Sequence, residues 1–103
     1  TQMFGGMQLN TETRVLADSR GTQIPLTRAE FDVFAALANA NGRVLSRSTL
    51  LDAISRGPNH ETGERTVDTI IAKTRRKLDA FGVDPIGIKT VHGIGYQIPP
   101  VHQ

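Results

Sequence analysis

Val67, Ile71, Thr74 and Leu78 step by four, three and four residues, which places them on one face of a helix. Ile70 and Phe81 flank that face. The same stretch, "RTVDTIIAKTRRKL" (65–78), carries Arg65, Lys73, Arg75, Arg76 and Lys77 against Asp68 alone, a balance of +4. The whole chain sums to +2, so the remaining residues sum to −2. Around the side opposite the apolar face lie Arg65, Thr69, Ala72, Lys73 and Arg76. Small or hydrogen-bonding groups in the middle with cations at the ends suit a close approach to a phosphate-lined groove. Asp68 falls in the first turn, where the helix dipole favours a negative charge. Taken alone, such a stripe also reads as a solvated face. Charge gathered on one helix points instead to a localised polyanion site.

The 103 residues suffice for one small domain with a modest core. Cysteine is absent, which excludes disulfides and thiolate metal sites and suits a reducing, cytoplasmic setting. No apolar run approaches the roughly 20 residues of a membrane span, and no signal-peptide pattern opens the sequence.

Along the chain, "MFGGMQLN" and "RVLAD" read as strands, and "DSRGTQIPL" returns through a turn at Ser19-Arg20-Gly21. At Leu26 the period changes. Thr27 with Glu30 three residues on makes a capping box, and Leu26 with Phe31 occupies the staple positions. Phe31, Phe34, Ala35 and Ala38 follow at helical spacing until Asn41-Gly42. "GRVLSRSTLLDAIS" predicts a second helix capped by Ser46, with Leu50, Leu51 and Ile54 inward. The polar "RGPNHETG" ends it. "IKTVHGIGYQI" reads as a hairpin whose tight turn is made by Gly93 and Gly95. The expected architecture is α+β: a winged helix-turn-helix in a single domain, 1–103. It comprises an N-terminal antiparallel β-sheet (1–26), a three-helix core (27–82) and a C-terminal β-hairpin wing (86–99).

Enzymatic chemistry is the weakest reading. Ser46 and Ser48 read as cap residues without a paired histidine or acid. His60, His92 and His102 lack metal-ligand spacing, and no cofactor motif is present. A winged helix used only for protein–protein contact is the alternative, and it should lack the cation stripe.

Four motifs, "LTRAEFDVFAAL", "GRVLSRSTLL", "RTVDTIIAKTRRKL" and "IKTVHGIGY", resemble in order the DNA-binding domain of OmpR/PhoB-type response regulators. The resemblance implies a four-stranded N-terminal sheet, a third helix (about 64–80) in the major groove and a wing in the minor groove. It makes Arg65 and Arg76 phosphate clamps, Thr69 and Lys73 base readers, and Thr90 a phosphate contact of the wing. Thr66 joins them as a DNA-contacting position. His92 stands where the family usually has arginine and is a weaker, pH-dependent groove probe. Thr74 replaces a common core leucine. The loop Arg56 to Glu64, with Pro58, Asn59, His60 and Glu61, is where the family commonly meets RNA polymerase. The implied partners are double-stranded DNA in tandem direct repeats, RNA polymerase, a receiver domain and its sensor kinase. The isolated domain is expected to be a monomer that pairs on DNA.

Overall fold

The computed structural model describes residues 2–4, 7–54, 64–81 and 87–99. Its N-terminal part forms three antiparallel strands, β1 (Gln2–Phe4), β2 (Met7–Asn10) and β3 (Val15–Ala17), in that order. Alternation along β2 buries Met7 and Leu9 and exposes Gln8. The fourth strand that the resemblance implies is reduced among the described residues to a single bridge, Ala17 to Gln23. Ile24 N–H still donates to the Leu16 carbonyl at 2.7 Å. Pro25 follows at once and has no N–H to continue a ladder. Gly21, at φ +85°, closes the preceding turn as expected.

Helix α1 (Arg28–Asn39) begins with the predicted capping box: Thr27 Oγ1 accepts from Glu30 N at 3.2 Å, and Glu30 Oε1 from Thr27 N at 2.9 Å. It ends where Asn41 (φ 55°) and Gly42 (φ 88°) turn left-handed. The buried side is wider than the spacing of the phenylalanines indicated, because Val33 and Leu37 are also fully enclosed.

Before helix α2 (Arg47–Ile54), Leu45–Ser46 forms a short strand, β4, that the sequence reading did not contain. Ser46 nonetheless caps the helix, its Oγ accepting from Thr49 N at 3.1 Å. Leu50 is fully buried, and Leu51 and Ile54 pack against the core.

In helix α3 (Glu64–Ala80), Val67, Ile71, Thr74 and Leu78 are the buried face, as their spacing requires. Thr74 is tolerated there because its hydroxyl donates to the Ile70 carbonyl at 2.8 Å, leaving no buried polar group unpaired.

The wing is more than a hairpin. Strands β5 (Lys89–Val91) and β6 (Gly95–Gln97) join β4 in a three-stranded sheet of order β4-β6-β5. The two glycines, expected to share one turn, divide their work. Gly93 (φ +80°) makes the turn closed by Ile94 N–H to the Val91 carbonyl at 3.0 Å. Gly95 lies in β6 opposite Ser46, and a Cβ there would stand 2.0 Å from the Leu45 carbonyl oxygen. Ile88, Tyr96 and Ile98 carry this sheet into the same core as Phe34, Leu50 and Ile71.

Candidate nucleic-acid interface

Helix α3 packs its apolar face on α1 and α2, which leaves Arg65, Thr69, Lys73 and Arg76 exposed along the opposite side. At 1.5 Å per residue, Arg65 and Arg76 stand about 16 Å apart along the axis, with Thr69 and Lys73 between them. Thr66 is half-buried beside the row. Among the described residues no hydrogen bond or ion pair engages the charged ends of Arg65, Lys73 or Arg76. Their side chains face outward.

The other two cations of the stripe behave differently. Lys77 turns back to α1, and its Nζ lies 2.7 Å from Glu30 Oε1. Burial alone would raise the Glu30 carboxyl, but the hydrogen bonds from Lys77 and Thr27 outweigh it and hold the group below the ordinary carboxylate range. Arg75 turns to the wing: Nε donates to the Ile88 carbonyl at 3.0 Å and Nη2 to Thr90 Oγ1 at 2.6 Å. Its guanidinium carbon also lies 5.5 Å from the centre of the Tyr96 ring. Tyr96 in turn donates its hydroxyl to Asp68 Oδ1 at 2.6 Å, and Arg47 Nε meets the same oxygen at 3.1 Å. Burial first, and then the Asp68 carboxylate, push the Tyr96 phenol above its ordinary range. Helix α3, the start of α2 and the wing are thereby tied together.

In the sequence, Arg75 and Lys77 counted only towards the charge of the stretch, and these ties were missed. A helical projection contains the signal. At 100° per residue, Asp68 and Arg75 fall about 70–90° to one side of the apolar face and Lys77 a similar angle to the other. All three are flank positions that meet neighbouring elements.

Thr90 and His92 are exposed on the wing, Thr90 in β5 and His92 in the turn. With Ser46, Arg47 and Ser48 they line a polar cleft of about 280 Å³ between α2 and the wing. No group of three potential metal ligands gathers among the described residues. No helix among them is long and apolar enough to cross a membrane. Pro58, Asn59, His60 and Glu61 lie outside the described residues.

A three-helix core with a β-wing, and a last helix that points cations outward, defines a winged-helix domain of the kind carried by transcriptional regulators. The chain belongs to the family described as "Transcriptional regulatory protein, C terminal", the OmpR/PhoB type, which matches residues 21–98. This is a family of regulators rather than enzymes. The chain is 35% identical over 95 residues to the transcriptional regulatory protein AruR of Pseudomonas aeruginosa, covering 92% of this chain and 38% of that protein. It is 38% identical over 93 residues to the regulatory protein VirG of Agrobacterium fabrum, covering 90% and 36%. It thus spans little more than a third of these relatives. The DNA-binding domain of RstA from Klebsiella pneumoniae, solved with its RstA box, superposes with a TM-score of 0.78 at 32% identity, over 98% of both chains. The DNA-binding domain of the response regulator AdeR shares the fold at a TM-score of 0.83 and 22% identity, over 97% of this chain and all of that one.

Proposed function

We propose that this chain is the sequence-specific double-stranded DNA-binding module of a two-component transcriptional regulator, with α3 in the major groove and the wing in the adjacent minor groove. The observation that carries this reading is the row Arg65, Thr69, Lys73 and Arg76, which stays outward while the flanking cations are tied inward. The major groove is about 12 Å wide, so cations about 16 Å apart can each meet a phosphate wall while the residues between them face bases. Arg65 and Arg76, with Thr66 beside them, hold the register on phosphate. Thr69 and Lys73 read base edges. On the wing, Thr90 meets a phosphate, and His92 probes the minor groove with a side chain whose charge depends on pH. RstA captured on its box supports this use of the fold.

In the cell the module follows a receiver domain answering to a sensor kinase in the cytoplasm, and the segment Pro58–Glu61 meets RNA polymerase. A winged helix serving only protein–protein contact would show little salt dependence towards duplex DNA. Titration of binding against salt therefore tests the proposal. Arg76→Ala should weaken selected and random duplexes alike and reduce the salt slope by roughly 0.9. Lys73→Ala should cost about 1–3 kcal/mol on the selected site and flatten preference at a base pair or two. A wild-type slope near zero overturns the reading.

The module is a monomer that grips a single half-site weakly and binds tightly as a pair on direct repeats. Repeats spaced by about 10–10.5 base pairs put both α3 helices on the same side of the duplex. Inserting about half a turn between them should abolish cooperativity in a gel-shift titration. Cooperativity that survives the insertion refutes side-by-side docking.

A further inference from the structure

We propose that Arg75 acts on DNA without touching it, by presenting the hydroxyl of Thr90 to a phosphate. The inference rests on the reading above that Thr90 is a backbone contact. Arg75 is half-buried, and three contacts hold its guanidinium: the Ile88 carbonyl at 3.0 Å, Thr90 Oγ1 at 2.6 Å and the Tyr96 ring at 5.5 Å. Tyr96 cannot swing aside to release it, because its hydroxyl is bound to Asp68 at 2.6 Å. Two of the five N–H donors of Arg75 are thus committed within the fold, and its face is held on the Tyr96 ring.

Thr90 is the exposed member of this chain of contacts. A threonine hydroxyl has one proton and two acceptor lone pairs. With a lone pair occupied by a guanidinium N–H, the oxygen points that pair at Arg75 and turns its proton away from the cation. The bond from Arg75 is charge-assisted, and it polarises the hydroxyl into a stronger donor. A phosphate oxygen is the acceptor such a donor matches best. Arg75 is thus a positioning residue: it lends its charge to the interface through Thr90 while remaining inside the protein.

Three descriptions of Arg75 differ in what they predict. A direct phosphate contact would release a counter-ion, and its loss would lower the salt slope. A residue that only pins the wing would weaken binding whether or not Thr90 keeps its hydroxyl. A residue working through Thr90 would matter only while that hydroxyl is there.

The test measures the affinity of wild type, Thr90→Val, Thr90→Ser, Arg75→Ala, Arg75→Lys and the Arg75→Ala/Thr90→Val double variant. The probe is a duplex that this chain selects from a random pool, at several salt concentrations. Thr90→Val and Arg75→Ala should each lose about tenfold, the scale of a hydrogen bond to a charged group, with the salt slope unchanged. The double variant should lose no more than either single one, and Thr90→Ser should bind like wild type. Arg75→Lys keeps the charge but not the fork that reaches Ile88 and Thr90 together, so it should lose affinity as well. It also serves as the readout if Arg75→Ala fails to fold by thermal melting. Additive losses, a slope lowered by about 0.9 for Arg75→Ala, or full affinity in Arg75→Lys would each overturn the proposal while leaving Thr90 as a contact. Full affinity in Thr90→Val would remove the contact itself. Wild type that does not bind duplex DNA would remove the functional reading beneath both.

Discussion

Gly95→Ala should cost about 3 kcal/mol of stability and detach the wing from the helical core. The added methyl would stand 2.0 Å from the Leu45 carbonyl oxygen, 2.8 Å from its carbon and 2.9 Å from Ser46 Cα. All three are backbone atoms, and moving them means breaking the pairing of β4 with β6. Gly93 offers the matched control. A Cβ there meets nothing within 4 Å, so Gly93→Ala carries only the strain of its φ of +80°, about 1–2 kcal/mol. Urea denaturation of the three proteins should rank wild type, Gly93→Ala and Gly95→Ala in falling order. A Gly95→Ala midpoint at or above that of Gly93→Ala would refute the close approach of the two strands.

Glu30→Ala should remove about 2–3 kcal/mol, more than the loss of an ordinary helix cap. Its side chain is 3% exposed and serves two elements at once, accepting from Thr27 N–H at 2.9 Å and from the Lys77 ammonium at 2.7 Å. Truncation takes away half of the capping box and leaves a partly enclosed ammonium without its carboxylate. The link also carries a pH signature. The carboxyl is held below its ordinary value of 4.5, so its contribution is complete above that value in the unfolded chain and is lost as pH falls through the lower folded value. Wild type should therefore lose stability below about pH 4.5 in acid titrations followed by circular dichroism, and Glu30→Gln should lose less over that range. Parallel acid profiles would show that the carboxylate contributes nothing.

Local signals were legible in the sequence and distant ones were not. The capping box at Thr27 and Glu30 and the buried row Val67, Ile71, Thr74 and Leu78 depend on residues three or four apart, and both stand in the structure. Strand β4 has two residues, too few for any period, and its partners Gly95 and Tyr96 lie about fifty positions away. The same distance hid the ends of two cations: Arg75 meets Thr90 fifteen positions on, and Lys77 meets Glu30 across forty-seven. Charge counting treated all five basic residues of α3 alike. Packing separated them, because positions beside the apolar face touch neighbours and positions opposite it do not.

The short pairing of β4 with β6 also bears on how the domain comes into being. Leu45 and Ser46 precede α2, yet their hydrogen-bonding partners are residues 95 and 96. During synthesis, the segment that launches α2 must wait for half the domain to be made before its backbone is satisfied. Such non-local contacts slow folding, because the loop between them has to close before the contact repays it. A chain lacking the final strand would leave β4 without the partner that the fold gives it.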